Sequence, residues 1–440
     1  MVSSIGTPNL KGAIVIISAR IKTLMVLSLL CVGEFATADE YHYNNMLIGD
    51  RAAGMGGAYT AISDDATGLY YNPAGIVYVG DKNFSASVNA YYSQSKKYDN
   101  VIGNQAFERN SSALLANFFG IVKSFGKYKV GFSYAVPDSV SENQNQVFSN
   151  VNPYTSRFTI NLNNRDSTYN FGPSIATEIN DDLSVGVTLY VHQRDAQLIL
   201  NQFLEGTDPN LNTPVANWKN DYFRISETGI RPILGLAWAP VEKVSLGFAL
   251  SKTFVLNSSS SQQLTCLETS TYNVTNNQVQ CFNGVNAPTV QVPTIVGSGI
   301  KRDYPTHLAL GAAYFSSRDL LFSADWSYNT AVKDAVFGDK VATYNMAVGS
   351  EYYLTRKWAV RAGLFTNLSN APDIQAGVTN IPEQINLYGA SLSISNFSGT
   401  SSVTVGGSFN YGKGKSQILD NLSVQNATTL GWLFFLSSSY

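Results

Sequence analysis

The stretch Leu183-Ser184-Val185-Gly186-Val187-Thr188-Leu189-Tyr190-Val191-His192 decides the fold class. Apolar side chains hold every odd position and small or polar ones every even position, which is the period of two that a β-strand imposes by turning successive side chains to opposite faces. Tyr128, Val130, Phe132, Tyr134 and Val136 alternate in the same way with Lys129, Gly131, Ser133 and Ala135. So do Val244, Leu246, Phe248 and Leu250 with Ser245, Gly247, Ala249 and Ser251. Followed outward, the pattern predicts fourteen strands, at about 83–93, 112–125, 128–137, 168–180, 183–197, 228–240, 243–256, 304–316, 319–331, 340–354, 357–367, 384–396, 400–412 and 428–440. Their connections alternate between short, at 126–127, 180–182, 241–242 and 355–356, and long, at 138–167, 198–227 and 257–303. A soluble sandwich has no reason to sort its loops by parity. A barrel that crosses a membrane has tight turns on one side and long loops on the other, with an even strand number returning both termini to the same side, the periplasm in a bacterial outer membrane.

Composition agrees with a lipid-facing wall. Only 14% of the 440 residues are charged and 12% are aromatic, with 25 Tyr, 23 Phe and 35 Gly, while mean hydropathy is neutral at -0.04. No apolar run approaches the roughly 18 residues of a membrane helix; the longest is Leu24 to Val32. A tilted strand needs about nine to eleven residues to cross, and closure leaves no unpaired edge in lipid. Tyr128, Tyr134, Trp238, Tyr314, Trp326, Tyr328, Trp358, Phe409 and Tyr411 fall near strand ends, where membrane interfaces favour aromatic rings. The net charge of -2 offers no basic field for nucleic acid.

Residues 1–38 read as an export signal: Lys11, Arg20 and Lys22 precede the apolar run, and Ala36-Thr37-Ala38 offers an A-x-A cleavage site before Asp39. Leu30 before Cys31 argues against lipoprotein processing, which generally takes Gly, Ala or Ser there. Cleavage leaves Cys266 and Cys281, which enclose fourteen residues of a polar segment. An oxidising compartment favours a disulfide between them, the alternative being two thiols in a loop.

Residues 39–81 do not alternate. They carry the small-residue run through Gly54, Gly56 and Gly57, the acidic pair Asp64-Asp65, and the triplet Asn72-Pro73-Ala74. Asp64 or Asp65 is suited to cap a short helix ending near Tyr71, before Pro73. Some 40 residues do not easily form a core of their own, but they suffice to fill a barrel lumen. The run from Arg51 to Gly75 resembles the N-terminal hatch of the FadL/TodX family of outer-membrane transporters for hydrophobic compounds, with Asn72, Pro73 and Ala74 matching the hatch triplet. The resemblance implies an all-β protein, a 14-stranded antiparallel transmembrane β-barrel over 82–440 with the 39–81 hatch as a plug. It also implies passive diffusion of hydrophobic compounds such as long-chain fatty acids, with no enzymatic activity, and an inner ligand site left through an opening in the barrel wall. Gly131 is a candidate for weakening a strand there, or for packing against the plug. The surroundings implied are outer-membrane lipid and lipopolysaccharide, the barrel-assembly machinery, a hydrophobic small-molecule ligand and a monomeric state. A similar hatch-like sequence occurs in PorV, a barrel-shaped shuttle of a protein secretion system, which makes a protein-binding shuttle or scaffold the alternative.

Other chemistry finds little support. The Gly54-x-Gly56-Gly57 cluster follows no predicted strand, so it is no nucleotide loop. Three histidines and two unclustered late cysteines do not make a metal cage, and no spacing marks a hydrolase pair. No cofactor is expected. If the oily faces meet lipid, the opposite faces turn Glu178, His192, Arg194, Arg231, Asp325, Glu351 and Arg361 into the lumen. Arg231 and Arg361 stand one register step from lipid, where a charge at midplane costs about 2–4 kcal/mol. Such charges either pair with one another and the hatch or meet a ligand carboxylate, and His192, Arg194, Arg231 and Arg361 are the candidates.

Overall fold

The computed structural model describes residues 41–43, 45–80, 82–207, 212, 214–268, 272–273, 278–280, 286–288, 301–379, 381–399, 401–419 and 423–439. The export segment and Cys281 lie outside the described residues, and with Cys281 the expected disulfide to Cys266.

Fourteen antiparallel strands close into one barrel. They are β1 Lys82–Ile102, β2 Gln105–Phe125, β3 Tyr128–Asn152, β4 Thr155–Asn180, β5 Leu183–Thr207, β6 Pro214–Val241, β7 Val244–Glu268, β8 Asp303–Phe315, β9 Leu320–Asn329, β10 Thr343–Thr355, β11 Trp358–Asn367, β12 Glu383–Ser398, β13 Ser401–Ser416 and β14 Gln425–Ser439. Each pairs with its sequence neighbour, and β1 pairs with β14 through rungs such as Val88 to Leu436 to seal the wall. Ser184, Thr188 and Tyr190 are fully buried inside while Val187, Leu189 and Val191 lie exposed on the outer face, as the alternation requires of a barrel in lipid. Tyr128, Trp238, Tyr314 and Trp358 are exposed beside the short turns, forming an interfacial girdle at that end. We call this the turn end and the opposite one the tall end.

The expected long loops at 138–167 and 198–227 are mostly strand. β1 to β7 run 21 to 28 residues against 10 to 16 for β8 to β14. A 25-residue strand spans about 80 Å, so these seven strands stand far above a hydrocarbon layer about 30 Å thick. Outside the membrane the outer face needs no apolar side chain, and the alternation fades; the backbone ladder, which does not depend on it, continues through rungs such as Asn143 to Asn163 and Asn145 to Asn161.

The turn-end half of the lumen holds the hatch: helix α1 Asp50–Gly54, helix α2 Gly68–Tyr71 and a 3-10 turn, Pro73–Tyr78. Asn72 explains the triplet. Its Oδ1 accepts the Ala74 N–H (3.1 Å), capping the turn, and Pro73 follows at the first position, where a missing N–H costs nothing. Asn72 Nδ2 donates to the Thr60 and Leu236 carbonyls, tying the hatch to itself and to β6 (2.8 and 3.0 Å). The acidic pair divides its work: Asp65 accepts the Thr67 N–H (2.7 Å), whereas Asp64 leaves capping aside and pairs with Arg51.

Glycines let the hatch lie flush against the wall. Cross-strand pairs Gly186–Gly235, Gly247–Gly311 and Gly349–Gly363 circle the lumen. A Cβ on Gly186 would stand 2.5 Å from the Pro73 backbone, one on Gly247 2.1 Å from Thr60 O, and one on Gly363 2.2 Å from the Met55 backbone. Glycine inside a strand here marks the close approach of another backbone.

Candidate functional site

Carboxylates of the wall anchor the hatch. Glu351 on β10 takes a two-pronged pair from Arg51 (2.8 and 2.9 Å) and a third contact from Arg361 Nε (2.5 Å), while Arg51 also reaches Asp64. Asp325 on β9 accepts the N–H groups of Tyr59 and Thr60 (2.9 and 2.8 Å). Burial of Glu351 is offset by its two arginine partners, whereas Asp325 receives both hatch N–H groups on Oδ2 and leaves Oδ1 without a hydrogen bond. Arg361, also bonded to Ser395, therefore belongs to the hatch anchor. Glu178 lies exposed near the turn end of β4.

Above the hatch opens a cavity of about 240 Å³. Its floor includes Leu47, Gly57, Tyr70 and Tyr71 of the hatch, and Tyr43 stands in its wall. Gly56 and Gly57 also line it, so the glycine cluster serves as cavity floor. All three histidines of the chain, His42, His192 and His307, border this one space. His192 Nδ1 is 3.1 Å from Asn170 Oδ1; since that oxygen can only accept, Nδ1 donates, and the buried Nε2 is left without a hydrogen bond. Arg194 lines the cavity but is gripped by Asp166 (2.9 and 2.5 Å). Arg231 differs. Among the described residues it pairs with no carboxylate, and its guanidinium lies 5.2 Å from the centre of the Tyr70 ring. Three of the four candidate charges thus meet in one cavity and Arg361 does not.

The wall beside this cavity is interrupted. The β2–β3 ladder runs unbroken from Phe125–Tyr128 to Phe118–Ala135, then stops until the single rung Ser111–Glu142. Residues 112–117 face 136–141 across a gap. On the other side of β3 the register also shifts between Ala135 and Asp138, so Ala135 and Val136 are both buried. Pro137 sits in this stretch and has no N–H to give a ladder. Pro137 and Asp138 also line the cavity, which places the gap and the cavity side by side, and Asn45 of the N-terminal segment donates to Asp138 (3.3 Å). Beyond the gap, side chains replace the ladder. Gln144 donates to Glu108 O and accepts from Asn110 N (2.6 and 2.8 Å), and Gln146 does the same with Ala106 O and Glu108 N (2.7 and 3.0 Å). Gly131 is no part of the interruption; it sits in intact ladder with Val122 and packs on Leu69 of the hatch.

A closed barrel with a lipid-facing outer surface, a hatch and an internal cavity defines a plugged transmembrane channel. The chain belongs to the family of outer membrane protein transport proteins (OMPP1/FadL/TodX), whose model matches residues 29–429. It is an outer-membrane protein of a family that transports hydrophobic compounds. Its fold is similar to a Pseudomonas aeruginosa FadL homologue, with 15% identity and a TM-score of 0.60 over 92% of this chain and 99% of that one. It is also similar to the Ralstonia pickettii toluene transporter TbuX, with 13% identity and a TM-score of 0.58 over 90% and 99% of the two chains. The CymD monoaromatic hydrocarbon channel shares 16% identity and a TM-score of 0.55 over 90% and 98%. No curated protein matches the sequence.

Proposed function

We propose that the protein lets hydrophobic compounds, among them amphipathic acids such as long-chain fatty acids, diffuse passively across the outer membrane. The turn end, with both barrel termini, faces the periplasm. The compound occupies the cavity above the hatch, its polar end at Arg231, and leaves sideways between β2 and β3. The observation that carries this reading is the interrupted ladder at 112–117 and 136–141 bordering the same cavity through Pro137 and Asp138. Exit through the wall delivers an apolar chain into lipid and keeps it out of water, saving about 0.8 kcal/mol per CH₂. The hatch blocks the straight path, which is the path a water-filled pore would use.

The experiment joins cysteines at Leu114 and Ser139, on opposite sides of the gap, with a short bifunctional maleimide. Uptake of laurate into proteoliposomes is expected to fall to the background of the empty vesicle and to survive when each cysteine is capped singly. Full uptake with the gap bridged would contradict a lateral exit there. Absence of saturable laurate or toluene binding to the intact barrel would move the assignment to a shuttle that holds a protein partner.

A further inference from the structure

The outer face of the tall wall carries more than a strand surface in water requires. The lipid-facing side ends at the row Phe171–Val191–Ile230–Phe254 across β4 to β7. Six residues further along β4, β5 and β6 stands the row Arg165–Gln197–Arg224, with both guanidinium groups exposed. A strand tilted by about 40° lifts this row about 15 Å above the last lipid-facing one. The next outward row sets Ile199 beside Tyr222, and the one after it is amide throughout, Asn145–Asn161–Asn201–Asn220. Asn220 Nδ2 donates to Asn201 Oδ1 within it (2.7 Å). Beyond the amides Phe203 pairs with Trp218. Among the described residues neither Arg165 nor Arg224 pairs with a carboxylate, whereas Arg157 on the same face pairs with Glu205 (2.7 Å). Asp195, one row nearer the membrane, accepts the Gln193 side-chain amide instead (2.9 Å).

We propose that this face docks a lipopolysaccharide molecule of the surrounding leaflet, its phosphates on Arg165 and Arg224 and its neutral sugars against Tyr222, Phe203 and Trp218. The order along the wall matches the glycolipid, which carries phosphates close to the bilayer and uncharged sugars farther out. Each row suits what would lie on it. The planar fork of a guanidinium matches phosphate oxygens, and amides both donate to and accept from hydroxyl groups. Tyr and Trp present an apolar face with a polar edge, which fits the C–H face of a sugar ring. A protein partner calls for an apolar centre with a polar rim; here the cations lie at the membrane side and the largest ring at the far side. The inference goes beyond the transport reading and shares with it only the orientation that puts the turn end in the periplasm.

The test is calorimetric titration of the full barrel in detergent with the water-soluble, deacylated core oligosaccharide of lipopolysaccharide, before and after phosphatase treatment. The phosphorylated sugar is expected to bind saturably. Arg165→Gln combined with Arg224→Gln is expected to weaken it about tenfold or more, and phosphate removal to weaken wild-type binding to the same level. Trp218→Ala is expected to weaken the phosphorylated sugar about fivefold, and it stands in should the double variant fail to assemble. Arg157→Gln, which removes a paired cation from the same face, is expected to change nothing. No saturable binding, equal binding by the double variant, or inorganic phosphate binding as tightly as the phosphorylated sugar would overturn the proposal. So would a dimer of the barrel in detergent that the double variant abolishes, which would assign the face to a second copy of the chain.

Discussion

The two halves of the lumen are filled by different means. At the turn end, the hatch backbone lies directly on a wall of paired glycines, and Glu351 and Asp325 reach in to hold it. At the tall end the wall fills itself. Lys96 and Tyr98 of β1 meet Glu383 of β12, a strand that is not their neighbour, and Arg109 sits between Glu142 (2.6 and 3.1 Å) and Glu383 (3.8 Å). Arg194–Asp166 and Arg302–Glu227 extend this buried belt. Above it Tyr98, Phe107, Phe148 and Phe158 form a row with ring centres 6.1 to 6.4 Å apart. The belt carries Lys96, Arg109, Arg194 and Arg302 against Glu142, Asp166, Glu227 and Glu383, so its charges balance and stay at home. The cavity lies at the junction of the two regimes, and there Arg231 has no acid beside it among the described residues. On the proposed reading this barrel separates closure from binding: paired charges close it, and Arg231, which pairs with no acid among the described residues, is where we place the ligand's polar end.

The comparison breaks most sharply if either anchor is removed. Glu351→Ala leaves Arg51 and Arg361 facing each other and is expected to cost about 3–5 kcal/mol, with protease access to residues 50–78 and higher single-channel conductance. Glu383→Ala, of similar size, is expected to loosen the tall end, seen as faster exchange at 96–109, with the hatch still protected. The same response from both variants would mean the two halves are one unit. Gly363→Val is expected to lift the hatch at about 1–3 kcal/mol or more, with barrel migration in detergent unchanged, because its clash is with Met55 backbone and not with the ladder. Replacing Gln144 and Gln146 together by Ala removes four side-chain to backbone bonds between β2 and β3, each worth about 1 kcal/mol. Laurate release through the gap should quicken severalfold, and unchanged release would show that these amides do not limit opening.

The smallest effect is on pH. Burial, opposed by Arg51 and reinforced by Asp50 and Asp64, raises the Asp65 carboxyl from its ordinary 3.8 to about 6. A raised carboxyl favours the docked hatch while protonated, so this contribution is full below about pH 4 and is lost as pH rises through about 6. Hatch protection, corrected for intrinsic exchange, should be greater at pH 5 than at pH 7, and Asp65→Asn should remove the difference.

What the sequence made legible follows from what repeats. Alternation exposes each membrane-spanning segment, because lipid on one side and lumen on the other enforce it, and the Asn72-Pro73-Ala74 triplet is local chemistry that needs no tertiary knowledge. The tall strands were not legible: with water on their outer face and amide or ionic partners inside, Ser141 to Gln146 carry no period and read as loop. Glu383 carries no local signal, since its partners Lys96 and Tyr98 lie 287 and 285 residues away. Parity brought Arg194, Arg231 and Arg361 inside alike. Only the register shows that Asp166 takes the first, Glu351 the third, and no acid among the described residues the second. The glycines were visible as a small face, but their pairing into a seat for the hatch depends on strand stagger, which periodicity does not specify.

The central claim is that the cavity empties through the β2–β3 gap, and photolabelling tests it most directly. A fatty acid bearing a diazirine near its tail, bound to the purified barrel and irradiated, is predicted to label the cavity wall and residues 112–117 and 136–141, with competition by unlabelled laurate. Competable labelling of the cavity together with another seam, and none at 112–117 or 136–141, would contradict it.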